Sequence, residues 1–427
     1  FIPICLETLF YMLSGMVDTL MLSAVGDYAV GAVGTANSYI GIFIIMFSII
    51  SSGMVSVMTQ NIGAGRPGVA YQARQLGLLF NAVAGVLMAV FLFSGAGAIL
   101  RMVGIADALY EPALIYLKIV GGGCILNAVI PIFSSYLRAF GYTKQPLYAT
   151  IVGNIANFVM NAVFLFVLHK GVAGVAAATV ISKILNLCIV LYFSHKLISA
   201  KNSTERIANK TVLGQIVKVG LPSACETALY NVAMMLVIRF LNQMDAEGLN
   251  VTARSYTATI SNFSYCVGAA LAQANAIMTG WHIGAGELEE CDRGTKRAAF
   301  VGVCVAVCME TAIVLGSGFI MPLFTDNPEM TALVRKLLAI DIVLEIGRVT
   351  NLVFGQALKT SGDAVFPAVI AAVFMFVFAV GGTWLFGISM GLMAVGAYIG
   401  LASDECVRAV GMVWRWKTGK WRTKKLV

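Results

Sequence analysis

Charge is scarce in this chain. Lys, Arg, Asp and Glu make up 12% of its 427 residues, about half the share of an ordinary soluble domain. A water-soluble chain of this length needs far more polar surface to cover its core. The mean hydropathy of +0.86 points the same way, to a multi-span membrane protein, and most soluble enzyme classes are excluded. Histidine is nearly absent. His169, His195 and His282 each stand beside an expected loop, so a His-based metal or catalytic site is not expected. The nine Cys contain no CxxC pair. Cys304 and Cys308 are a turn apart but have no His or acid at ligand spacing, and they read as small hydrophobes. The Gly-Ala-Gly segments lack a preceding strand and a GK[ST], so they hold no phosphate loop and read as tight turns. With no triad, metal cluster or cofactor motif, neither an enzyme nor a cofactor is expected. No cleavable signal peptide is seen. The chain opens at Phe1 already inside an apolar segment, and residues before it are expected to be missing.

What is present is apolar length. A helical span needs about 20 mostly apolar residues. Twelve such segments are read at 1–25, 27–62, 70–104, 107–140, 145–168, 171–199, 214–240, 251–283, 295–324, 331–358, 363–386 and 391–415. The runs are long and do not alternate, which excludes β-barrel spans.

The sequence also repeats itself. Ile62-Gly63-Ala64-Gly65 returns as Ile283-Gly284-Ala285-Gly286, and Leu137, Arg138, Gly141 and Pro146 return as Leu358, Lys359, Gly362 and Pro367, both 221 residues on. Pro3, Glu7, Thr8 and Tyr11 return as Pro222, Glu226, Thr227 and Tyr230, 219 residues on. Two homologous halves of six spans follow, and an even number makes them parallel repeats about a pseudo-two-fold axis along the membrane normal. The expected fold is therefore all-α and integral to the membrane, with twelve transmembrane helices in two six-helix lobes. The lobes are placed at 1–199 and 214–415, with an inter-lobe linker at 200–213 and a basic tail at 416–427. If both termini are cytoplasmic, the inside segments hold 20 of the 29 Lys and Arg, in keeping with the positive-inside bias. That bias accounts for the net charge of +8 without nucleic acid as a partner. The tail from Trp414 to Lys425 reads as an aromatic and basic interface anchor.

Polar residues inside such spans are the candidates for function. Asp18 comes first. An ionised carboxylate there faces a polar cavity, binds a cation or takes up a proton. Asn154, Asn157 and Asn161 share one face of span five. They read either as hard oxygen ligands for a cation such as Na⁺ or as bonds between helices. In the second half, Glu345, Arg348 and Asn351 share a face of span ten. Glu345 and Arg348 either neutralise each other or form a cation or substrate subsite. Glu310 and Asp341 are further acids with no identifiable partner. Lys183 and Asp404, repeat-related, are candidates for an inter-helix pair.

Val17-Asp18-Thr19 with LMLSAVGDYAVGAVG, Asn61-Ile62-Gly63-Ala64-Gly65-Arg66, Leu137-Arg138-Ala139-Phe140-Gly141, GVAGVAAATVIS (171–182) and ALKTSGDAVFP (357–367) resemble the multidrug and toxic compound extrusion (MATE) family in order and spacing. The resemblance implies a secondary antiporter that exports cationic or amphipathic compounds in exchange for Na⁺ or H⁺ by alternating access. It further implies a monomer in the inner or plasma membrane, and a coupling acid at Asp18, the hypothetical Na⁺ ligand. Asn157, Asn161 and Thr179 match the rest of an N-lobe cation pocket, although many relatives have Asp where this chain has Asn161. Pro3 stands where relatives have a kink proline. It reads as the hinge of helix one or as the helix start. Relatives also carry coupling acids in spans seven and ten, and Glu226 lies about a turn from the expected place. The alternative on the same fold is a lipid-linked oligosaccharide or polysaccharide flippase. The first-half spans hold few bases apart from Lys118 and Lys183, against the cationic cavity that such a function needs.

Overall fold

The computed structural model describes residues 1–23, 25–102, 105, 107–198, 205–245 and 248–427; part of the expected linker, 200–204, lies outside them. Among the described residues there is no strand. The chain divides into two compact units, Ile2–Gly220 and Leu221–Val427, the latter with Phe1.

The first unit holds α1 (Ile2–Ser23), α2 (Asp27–Gly63), α3 (Pro67–Met102), α4 (Asp107–Gly122), α5 (Cys124–Ala139), α6 (Lys144–Ala162) and α7 (Gly171–Leu197). Helices α4 and α5 form one span bent by 41°. The bend falls at Gly121-Gly122-Gly123, where missing side chains leave the helical ladder easiest to break. A π-helical turn, Val163–Val167, prolongs α6. Small side chains allow close packing: Ala29, Ala32 and Ala36 on α2 are buried with Leu92, Ala96 and Leu100 on α3 and Ala113 and Leu117 on α4.

From the end of the first unit into the second run α8 (Asn209–Met244), α9 (Leu249–Ala285), α10 (Leu288–Ile320), α11 (Pro328–Ser361), α12 (Val365–Phe374) and α13 (Met393–Lys417). The division between units falls inside α8. Local chemistry sets the ends. Asn327 accepts from the N–H groups of Glu329 and Met330 at 2.9 and 3.3 Å, and Pro328 occupies the first helical position of α11, where its missing N–H costs nothing. In the loop before α9, Asp245 accepts from the N–H groups of Leu249 and Asn250 at 2.8 and 3.0 Å. Burial raises this carboxyl, but the bonds from Asn250, Leu249 and Gly248 outweigh it and hold the group below the usual carboxylate range. The glycines of the repeat carry the same left-handed backbone in each half, Gly65 (φ 74°) with Gly286 (φ 80°) and Gly141 (φ 86°) with Gly362 (φ 96°). They close the tight turns that other residues adopt only at a cost.

All twelve expected segments are helical, and the largest difference in a boundary is at α10, which begins at Leu288 rather than at 295. Eight helices are long and apolar enough to cross a membrane, nine passes with the bent pair. Helices α9, α11 and α13 are as long but more polar, and they pack on one another, burying Ile260, Leu338, Leu344, Ala397 and Tyr398. Outward-facing residues such as Leu20, Val90, Leu315 and Phe319 are more than half exposed. In water these would be patches too large for a monomer; in lipid they are the expected surface.

The tail differs from its expected role as an interface anchor. Trp414 is exposed, but Trp416 and Trp421 are stacked at 4.2 Å and Trp421 is 1% accessible. The left-handed Gly419 (φ 68°) turns the chain back so that the Trp421 indole N–H donates to the Trp416 carbonyl at 3.0 Å.

Candidate functional site

In the first unit, α1, α6 and α7 bring the expected residues together around Asp18. Asn161, fully buried, donates from its Nδ2 to the Asp18 carboxylate at 2.7 Å and to Asn157 Oδ1 at 3.1 Å. The Asn161 Oδ1 has no hydrogen-bond partner. Tyr116, also buried, lies beside Asn37, Thr179 and Asp18. Lys183 acts on Asp18 through space without an ion pair; its ammonium donates to Asn127 at 2.8 Å. A half-buried carboxylate, an orphaned amide oxygen and neighbouring hydroxyls are hard oxygen donors. Among the described residues no three His, Cys, Asp or Glu side chains converge on a metal-sized site. One carboxylate among amides suits a monovalent cation or a proton better than a divalent ion.

Other residues have different duties. The amide of Asn154 donates to the Phe10 carbonyl at 2.8 Å, so it ties α6 to α1. The Thr179 hydroxyl donates to Val175 of its own helix at 2.9 Å. Pro3 stands in the first turn of α1, which continues unbroken past Asp18 to Ser23; the helix-start reading fits and no hinge is seen there. Lys183 and Asp404 do not form the expected pair: Asp404 is held by Arg408 at 2.7 Å.

Each half instead carries a repeat-related ion pair that spacing alone did not reveal. Glu7 on α1 meets Arg138 on α5 at 2.6 Å, and Glu226 on α8 meets Lys359 on α11 at 2.7 Å. The partners sit at matching repeat positions. Glu226 is thus bonded across helices rather than poised as a free subsite acid. Glu7→Gln should lower stability by about 1–2 kcal/mol through the stranded Arg138, and the double variant Glu7→Gln with Arg138→Gln should recover most of it. Thermal unfolding in detergent reads both, and a double variant no better than either single one contradicts the pairing.

In the second unit the acids and bases of α11 and α13 form one network. Glu345 bonds Arg348, which also approaches Glu405 at 3.7 Å. Asn351 donates to Glu405 at 3.0 Å. Arg408 spans Asp404 in a two-point contact of 2.7 and 3.0 Å and reaches Glu405 at 2.8 Å. The neutralisation alternative therefore holds for Glu345 and Arg348. Glu310 is 0% accessible, with neither carboxyl oxygen in a well-formed hydrogen bond, although Ser264 lies alongside. Beside the network is a cavity of about 480 Å³ lined by charged, amide and tyrosine side chains of α8, α9, α11 and α13. Glu405, Arg408, Arg254 and Tyr398 were not singled out from sequence. The i, i+4 spacing of Asp404 and Arg408 inside an apolar span was the available signal.

Two bundles of long apolar helices, each holding ionisable and amide groups in its interior, have the build of a polytopic membrane transporter. Comparison with known proteins defines it further. The MatE family model matches residues 3–163 and again 222–385, one match per repeat. The chain belongs to this family, the MATE transporters, which are not enzymes. It is 32% identical to the uncharacterized transporter YisQ of Bacillus subtilis (strain 168), over 99% of this chain and 94% of that protein. It is 20% identical to the probable multidrug resistance protein NorM of Thermotoga maritima, over 100% of this chain and 92% of that one. Among solved structures, the outward-facing conformation of a multidrug resistance MATE family transporter of the MOP superfamily superposes with a TM-score of 0.89 at 19% identity. That superposition covers 99% of this chain and 95% of the other.

Proposed function

We propose that this MATE transporter is an antiporter of the inner or plasma membrane, both termini cytoplasmic, exporting cationic or amphipathic drugs in exchange for Na⁺ or H⁺ by alternating access. The observation that supports it most is the Asp18–Asn161 contact beside the unpartnered Asn161 Oδ1. A buried acceptor without a donor is costly, and a cation coordinated by Asp18 and Asn161, or a proton on Asp18, relieves that cost. Asn157 and Thr179 support the same pocket from its flank. Occupancy by the ion and occupancy by the drug draw on the same negative charge, so each lowers the affinity of the other, and the coupling is reciprocal. The flippase alternative is less well supported: the one base near Asp18, Lys183, is engaged by Asn127 rather than free for a pyrophosphate.

The test is dye transport in proteoliposomes with Na⁺ and pH gradients imposed separately. An organic-cation dye should move against its own gradient under one or both, and stop when that gradient is collapsed. Dye flux indifferent to both gradients overturns the reading.

A further inference from the structure

Most charges around the cavity of the second unit are already spoken for. Lys359 is paired with Glu226, Arg408 with Asp404 and Glu405, and Arg348 with Glu345 and Glu405. Two lining groups of opposite sign are not. The only bonded neighbour of Arg254 is the Met234 sulfur, at 3.8 Å from Nη2. It makes no ion pair among the described residues. Asp341 is 3% accessible, its Oδ2 has no hydrogen-bond partner, and it too makes no ion pair among the described residues. Arg348 acts on Asp341 only through space. Tyr398 lies near both Arg254 and Asp341, and Tyr230, Tyr265 and Met234 supply aromatic and soft apolar lining.

We infer that this cavity binds amphipathic molecules carrying both a basic nitrogen and a carboxylate, the carboxylate on Arg254 and the ammonium on Asp341. A guanidinium with no acid partner is a ready carboxylate fork. A buried carboxylate with an open oxygen favours a cation. A volume of about 480 Å³ falls within the range for drug-sized ligands. A purely cationic ligand would leave Arg254 unanswered beside its own charge; a zwitterion satisfies both groups. The inference rests on the drug-exporter reading and narrows its substrate class.

The test uses a dye pair that differs only in the carboxylate. Rhodamine B carries it; rhodamine B ethyl ester is a plain cation. Binding to the purified full-length protein is followed by fluorescence polarisation. Wild type should prefer rhodamine B. Arg254→Gln should weaken rhodamine B about tenfold and leave the ester within about twofold, and Arg254→Lys should restore part of the preference, since Lys keeps the charge without the fork. Asp341→Asn should weaken both dyes. Equal affinity of wild type for the two dyes, or an equal change of both on Arg254→Gln, overturns the inference while the exporter reading stands. Binding of neither dye overturns both.

Discussion

Asp18→Asn should abolish ion-driven drug efflux and leave a folded protein in the membrane. The amide oxygen of Asn at this position still accepts the Asn161 Nδ2 bond now made at 2.7 Å, and removing a charge from a span relieves a desolvation cost rather than adding one. What is lost is the only carboxylate in the cluster formed with Asn157, Asn161 and Thr179. A neutral amide can hold neither a proton nor a cation at comparable strength. Gradient-driven efflux should therefore fall by about tenfold or more, each factor of ten being about 1.4 kcal/mol of lost ion binding. Dye binding at zero gradient should survive through the second-unit cavity. Initial efflux rates in proteoliposomes, set beside thermal unfolding of the same preparation, separate loss of coupling from loss of fold. A variant that pumps at the wild-type rate removes Asp18 from the mechanism.

How far the sequence alone leads depends on the kind of information each feature needs. Span positions follow from apolar runs and turn residues, local signals that need no partner; Gly65, Gly141, Gly286 and Gly362 marked turns that the backbone confirms by its positive φ. The repeat announced Glu7 with Glu226 and Arg138 with Lys359 as equivalent positions. It could not announce that the members of each set touch, because contact between α1 and α5, or α8 and α11, has no fixed sequence spacing. The Asn154–Asn157–Asn161 face illustrates both sides of this. Its inward orientation was legible from helical period and the cost of amides in lipid. Its division of labour was not: Asn154 bonds a backbone carbonyl on α1, while Asn161 reaches the carboxylate. Trp416 and Trp421 misled for a related reason, since an aromatic and basic composition suits an interface, and only the turn at Gly419 tucks the rings inward.

Arg408→Gln should be among the most destabilising single changes in the second unit, by about 3–5 kcal/mol. Arg408 is 4% accessible and answers two carboxylates, Asp404 and Glu405, on its own helix. Glutamine keeps much of the volume but strands both acids, and Arg348, already shared by Glu345 and Glu405, cannot cover a third. The cost is the uncompensated charge, not the lost bonds. The triple variant Arg408→Met, Asp404→Asn, Glu405→Gln removes the charges together and should regain most of the stability, because a buried charged network replaced as a set is often neutral or better. Thermal unfolding in detergent should show Arg408→Gln lowered by about 5 °C or more and the triple variant near wild type. A loss under about 1 kcal/mol for Arg408→Gln means that water in the adjoining cavity screens Asp404 and Glu405. The network would then be a solvated wall rather than a buried strut.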